Sequence, residues 1–274
     1  MEGLQLFTTL RCDPELLRLP TGIRDSLGWN DKPSPFYMLD LHRDRLLKAA
    51  VHWGWDSAVQ ALEGDIGLRR LEEFLCENVE EALQKPHRAK VLIDSEGILS
   101  IAKGPTGTVP MSNLFPSRLP APSDRDECLE EAVMVPERNF DFEIYLDQQT
   151  TPKTEFTHFK TTHRPMYDAA RSRHNIGLAD KKEVLLVNER DGSIMEGSIT
   201  TPYFWRHGRW VTPPVSKEFD ADRGSGGNNG TTRRWALERN IAVEEVILAD
   251  SLVDGEECWI SNGVRGFIHG KLKL

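Results

Sequence analysis

Five prolines fall between Pro105 and Glu127, in PTGTVPMSNLFPSRLPAPSDRDE. Proline lacks a backbone N–H and fixes φ, so neither a helix interior nor a central strand can run through such a stretch. It is expected to form a long irregular connection or surface excursion, with regular structure before and after it. Before it, LQLFTTLRC (4–12) reads as a strand. YMLDLHRDRLLKAAVHWGW (37–55) and DIGLRRLEEFLCENVEEALQK (65–85) carry apolar residues at helical spacing, and AKVLIDSEGILSIAKG (89–104) reads as a hairpin turning at DSEG.

After it come a strand in FDFEIYLD, a polar turn-prone segment QQTTPKTE (148–155), a helix over 165–175 and a strand over 183–189. An aromatic hairpin in TTPYFWRHGRWVTPP, a Gly/Asn loop DRGSGGNNG (222–230), a helix in TTRRWALERN and a last strand with its exit in ECWISNGVRGFIHGKL complete the chain. Strands and helices mix in both halves, which predicts a two-domain α/β (α+β) protein. The boundaries expected are an N-terminal domain over 1–147, a linker over 148–155 and a C-terminal domain over 156–274.

A chain of 274 residues can bury one large core or two modest ones, and a 39% hydrophobic fraction favours a globular protein over a disordered one. The net charge of −9 argues against a general nucleic-acid or anionic-membrane binder. MEGLQLFTTLRC lacks a long apolar stretch, so a cytoplasmic protein is expected. Cys12, Cys76, Cys128 and Cys258 form no CxxC pair and have no metal-like spacing, so reduced thiols and no metal are expected.

Three features could carry chemistry. Lys160, in FKTTHRPMYDAARSR, follows a strand-like segment and precedes a helix, where a side chain can project into a cleft. A lysine attacks carbonyl carbon only as the neutral amine, and a lone lysine is ordinarily a solvated charge. The Gly/Asn loop opens a helix at Thr231 or Thr232, which aims N–H groups at an anion such as phosphate, although a flexible loop with a threonine cap reads the same way. Glu196, in SIMEGSI, gains interest if it faces a cation such as a protonated pyridine nitrogen. The histidines form no HExxH, and no serine sits in GxSxG.

The joint order of LDLHRDRLLKAA, FKTTHRPMYDAARSR, MEGSITTPYFWRHGRWVTPP, GGNNGTTRR and WISNGVRGF resembles the fold-type IV pyridoxal-phosphate enzymes, the class-IV aminotransferase group. The lysine segment, the LIDSEGILSIAK hairpin and SNGVRG are most similar to its 4-amino-4-deoxychorismate lyase branch. The resemblance implies a small N-terminal α/β domain, a larger C-terminal pseudo-barrel domain and pyridoxal 5'-phosphate between them. It also implies a homodimer acting on a small amino substrate in the folate pathway. Lys160 would be the Schiff-base lysine and would move the substrate proton. Arg45, Thr231, Thr232, Ser261 and Asn262 would help hold the cofactor, and Glu196 would pair with its pyridinium nitrogen. Arg164, Asn262 and Arg265 are the implied substrate-binding candidates. A transaminase acting on D-amino acids or (R)-amines is the alternative within the same fold. Gly263 and the pair Thr201–Pro202 depart from the family pattern, and Pro202 argues against regular strand pairing there.

Overall fold

The apolar and β-branched run LFTTLRC forms β1 (Leu6–Cys12) in a computed structural model that describes residues 3–19, 33–79, 84–122, 124, 134–177 and 179–274. Backbone contacts divide the chain into two units, Met1–Thr108 with Phe159–His163, and Val109–His158 with Arg164–Leu274.

In the first unit, β1 pairs antiparallel with β2 (His87–Ile93), which pairs antiparallel with β3 (Leu99–Pro105). The expected hairpin turn holds, and the Asp94 carboxylate accepts the Ile98 N–H at 2.8 Å. The helix α1 (Leu39–His52) and the helix α3 (Gly64–Asn78) bury apolar stripes against this sheet, joining Leu39, Leu71 and Leu75 to Leu10, Ala89 and Val91. Between them lies α2 (Asp56–Leu62), which the sequence pattern did not reveal because seven residues carry barely two turns of periodicity. The 65–85 helix is shorter than expected: it ends at Asn78, where Val79 leaves helical geometry, and residues 80–83 lie outside the described set.

The second unit is built on an eight-stranded sheet ordered β6-β5-β4-β11-β10-β7-β8-β9. Its strands are β4 (Phe142–Thr151), β5 (Lys182–Asn188), β6 (Ile194–Gly197), β7 (Thr201–Arg206), β8 (Arg209–Thr212), β9 (Val243–Glu244), β10 (Glu257–Asn262) and β11 (Gly266–Lys273). A three-residue link, Ser198–Thr200, joins β6 and β7, the first and sixth strands in that order. In a flat sheet those strands would lie about 24 Å apart, beyond the reach of about 14 Å that so short a link allows. The sheet is therefore curled, as the resemblance implies.

β5 is buried on both faces. Leu185 and Val187 join a core with Phe204, Val211, Ile260 and Leu272. Val184 and Leu186 face the other way, under Tyr167 and Ala170 of α4 (Pro165–Arg173). A strand covered on both sides reads as a continuous apolar run, as VLLV does.

Four expectations need correction. Residues 148–151 of the expected linker continue β4, because β5 supplies parallel pairing partners for Thr150 and Thr151. The units divide at Thr108/Val109, and β4, expected in the N-terminal domain, belongs to the second unit. The expected exit after the last strand is itself β11, paired antiparallel with β10 and parallel with β4. Pro202 does not disturb pairing: it sits near the start of β7 opposite Ile260, and its carbonyl accepts the Thr212 hydroxyl at 2.9 Å. In the proline-rich stretch Pro105 ends β3, and the described residues after it are irregular apart from a one-turn helix, Met111–Leu114; residues 123 and 125–127 lie outside the described set. Cys12 and Cys258 are buried free thiols, Cys76 is exposed, and Cys128 lies outside the described residues. Burial pushes the Cys12 thiol up to about 12. Among the described residues no helix is long and apolar enough to cross a membrane.

Candidate active site

Lys160 is positioned by backbone pairing. The chain leaves the second unit at His158 and returns at Arg164, and the five residues between belong to the first unit. Phe7 N–H donates to the Lys160 carbonyl at 3.0 Å, Thr162 N–H donates to Gln5 O at 2.9 Å, and Thr161 bridges Leu6. β1 has β2 along one edge, so Lys160 to Thr162 occupy the other. Phe159 is buried against the rings of His52 and Trp53, with centroids 4.4 and 5.0 Å away. This anchors the residue before Lys160 and leaves the lysine itself half-buried, its Nζ 5.1 Å from the centroid of the Phe7 ring.

Arg45 lies in the same unit, on α1. Its guanidinium donates to the Thr8 hydroxyl and lies 3.3 Å from His42 Nδ1, while Thr8 Oγ1 and His42 Nδ1 are 2.6 Å apart. A guanidinium only donates, so Nδ1 is the acceptor and the Thr8 hydroxyl donates a hydrogen bond to it. His42 is therefore neutral. Its pKa falls well below the ordinary histidine value because it is fully buried and because Arg45 and Lys160 both place positive charge near it. Thr8 and His42 were not singled out as site residues from the sequence: Thr8 sits in no motif, and His42 stands in LDLHRDRLLKAA without showing its partners.

In the second unit Glu196 lies on the edge strand β6, 9% exposed, and its Oε1 accepts the Tyr167 hydroxyl at 2.5 Å. Burial and the Glu196 charge push the Tyr167 phenol well above its ordinary pKa, so it stays a donor. Arg164 stacks over the Tyr167 ring at 4.0 Å.

The glycine-rich loop lies against the strand that carries Glu196. Gly226 has φ +93°, and a Cβ on Gly227 would meet the Met195 carbonyl at 2.4 Å and the Glu196 Cβ at 3.1 Å. Asn228 fastens the loop by donating to the His158 carbonyl at 2.9 Å. The loop delivers the helix α5 (Thr231–Glu238), whose N-terminus carries no side-chain cap and whose first two side chains are buried. Thr232 Oγ1 lies 2.7 Å from Ser261 Oγ, and Ser261 Oγ lies 2.9 Å from the Tyr203 hydroxyl.

Two of the remaining candidates, Arg164 and Asn262, meet at the link after Glu196. Arg164 donates to the Ser198 carbonyl at 2.6 Å, and Asn262 Nδ2 lies 3.5 Å from the Ile199 carbonyl. The Asn262 carboxamide oxygen accepts the N–H groups of Val264 and Arg265 at 3.0 and 2.9 Å, closing the turn between β10 and β11. Arg265 stacks on Phe142 at 5.6 Å. Beneath the link, Glu183 is fully buried and accepts from Ser198 N and Oγ, Ile199 N, Thr200 Oγ1 and Val184 N. Arg171 lies 3.9 Å from its carboxylate. Removing one partner of so enclosed a charge leaves the others buried and unmatched, so Glu183→Ala should cost about 3–5 kcal/mol. Urea unfolding tests this, and an unchanged midpoint would contradict it.

The family model for amino-transferase class IV matches residues 22–271. The chain belongs to that family. Its sequence is 29% identical over 136 residues to a Schizosaccharomyces pombe protein provisionally named aminodeoxychorismate lyase; the match covers 48% of this chain and 55% of the relative. The chain thus spans little more than half the length of that relative. In fold it is similar to a provisionally assigned amino-acid aminotransferase from Mesorhizobium loti, with a TM-score of 0.66, 20% identity and coverage of 98% and 100% of the two chains. It is also similar to the PLP-bound form of a hypothetical aminotransferase from Mycobacterium tuberculosis, with a TM-score of 0.58, 15% identity and coverage of 98% and 81%.

As a class IV enzyme the protein uses pyridoxal 5'-phosphate. The second unit's donor set fits that group at two points. A buried carboxylate with a phenol on one oxygen suits a cationic ring nitrogen, and an uncapped helix start beside buried hydroxyls suits a phosphate.

Proposed function

We propose that this class IV enzyme is a 4-amino-4-deoxychorismate lyase, releasing pyruvate and leaving 4-aminobenzoate. The observation that carries the lyase reading is the 136-residue match to a relative named for that activity. Bound pyridoxal phosphate would supply an electron sink for the carbon that bears the substrate amine.

The protein's own groups then have separable tasks. Lys160 would hold the cofactor through its amine and would accept the proton from the amine-bearing carbon at Nζ. Glu196, kept as an acceptor by the Tyr167 hydroxyl, would hold the proton on the pyridine nitrogen. Arg45 and the hydroxyls of Thr231 and Thr232 would bind the phosphate, with Ser261 supporting the Thr232 hydroxyl from behind. Arg164 and Asn262 would order the Ser198–Thr200 link, which their contacts support, and Arg265 is assigned to a substrate carboxylate. The balance is closed: the proton lost from the ring carbon matches the one gained by the departing enolpyruvyl group, so no amino acceptor, oxidant or water is consumed. A cytoplasmic homodimer in folate synthesis completes the reading.

The test is incubation of the holoenzyme with 4-amino-4-deoxychorismate and no keto acid. Equal amounts of pyruvate and 4-aminobenzoate are expected. A requirement for an amino acceptor, with no pyruvate released from the substrate, would move the assignment to a transaminase.

A further inference from the structure

Three hydroxyls form a buried chain under the start of α5: Tyr203 on β7, Ser261 on β10 and Thr232 in the first turn of the helix. They are spaced 2.9 and 2.7 Å apart, and all three side chains are buried. Each hydroxyl has one proton, and if Ser261 accepted from both neighbours its own buried proton would have no acceptor among the described residues, so the chain runs in one direction or the other. If it ran from Thr232 towards Tyr203, the phenol would need an acceptor beyond Ser261, and among the described residues Ser261 is its one hydrogen-bond partner. A fully buried phenol proton without an acceptor is costly, and burial also keeps this phenol protonated by raising its pKa. The favourable direction is therefore Tyr203 to Ser261 to Thr232, which leaves the Thr232 proton to be donated outward at the helix start.

We propose that Tyr203 is a positioning residue for phosphate binding: by donating into Ser261 it fixes the direction of the hydroxyl chain and presents the Thr232 hydroxyl as a donor to the cofactor phosphate. The inference rests on the reading that places this phosphate at the start of α5. Tyr203 touches no cofactor atom in this account. It acts two hydroxyls away, where a preference set by one buried proton is passed along polarised bonds. Without the phenol the chain can reverse, and Thr232 would then turn an oxygen lone pair towards an anion.

The experiment titrates apo-protein with pyridoxal 5'-phosphate and, separately, with pyridoxal, which lacks the phosphate, following cofactor absorbance. Tyr203→Phe should weaken binding of the phosphorylated form about 10-fold, the loss of one charge-assisted hydrogen bond, and leave pyridoxal binding unchanged. Ser261→Ala breaks the chain at its middle. It should reproduce the selective loss, with the double variant no worse than either single one, and it serves as the test if Tyr203→Phe fails to fold. Equal weakening towards both ligands, or none towards either, would overturn the proposal. Thr232→Val tests the foundation separately. If it keeps the wild-type preference for the phosphorylated ligand, the phosphate does not sit at this helix start and the proposal falls with that placement.

Discussion

Lys160→Ala should abolish turnover while leaving the fold in place. The segment that carries the lysine is fastened through backbone groups, Phe7 N–H to the Lys160 carbonyl and Thr162 N–H to the Gln5 carbonyl, and by the packing of Phe159 on His52 and Trp53. None of these involves the amine. Truncation removes a half-buried side chain over the Phe7 ring, a contact worth about 0.5–1 kcal/mol at an exposed site. The urea midpoint should therefore move little. Activity should fall by more than about 1,000-fold, because the same amine acts as nucleophile and proton acceptor. Release of pyruvate and 4-aminobenzoate from matched amounts of wild-type and variant protein measures this. A variant retaining a tenth of the wild-type rate would remove Lys160 from the chemistry.

Glu196→Ala should be nearly as damaging for a different reason. Its carboxylate is buried on an edge strand, and one oxygen accepts the Tyr167 phenol at 2.5 Å. With the carboxylate gone, the cofactor's ring nitrogen would lose its anionic partner, and the electron sink would weaken. A fall in kcat of about 100- to 1,000-fold is expected, the range for removing one preorganised electrostatic partner. The Tyr167 hydroxyl keeps the Thr157 carbonyl at 3.3 Å as an acceptor, so the loss should fall on kcat more than on stability. A kcat within about threefold of wild type would contradict this role, since general electrostatic contributions of this kind are larger.

The parts of the fold written in long periodic segments were legible. The hairpin over 89–104, the helix at Leu39–His52 and the apolar strand β5 follow from spacing and turn chemistry visible in the chain. The extension of β4 to Thr151 was hidden, because QQTT is turn-prone by itself and becomes strand only when β5 lies beside it. The curl of the sheet was likewise implied by resemblance and not by local pattern, since it depends on which strands become neighbours. At the site, Lys160, Glu196 and Thr232 stood in motifs. Tyr167 and Tyr203 lie in motifs and Glu183 and Thr8 do not, but none of the four showed its role, because each acts through a partner far away in sequence: Tyr167 through Glu196, Glu183 through Ser198–Thr200, Thr8 through His42 and Arg45, and Tyr203 through Ser261. The one signal available was the tyrosine seven residues after Lys160, which the motif FKTTHRPMY displays without revealing its partner.

The central claim is that Lys160 is the residue that bonds the cofactor, and it can be read directly. The holoenzyme is reduced with borohydride, which fixes the carbon–nitrogen bond between lysine and cofactor, then digested and sequenced by mass spectrometry. The account predicts a pyridoxyl-phosphate group on Lys160 alone. The group found on Lys90, whose amine also lies over the Phe7 ring at 4.3 Å, or on Lys153 of the second unit, would contradict it.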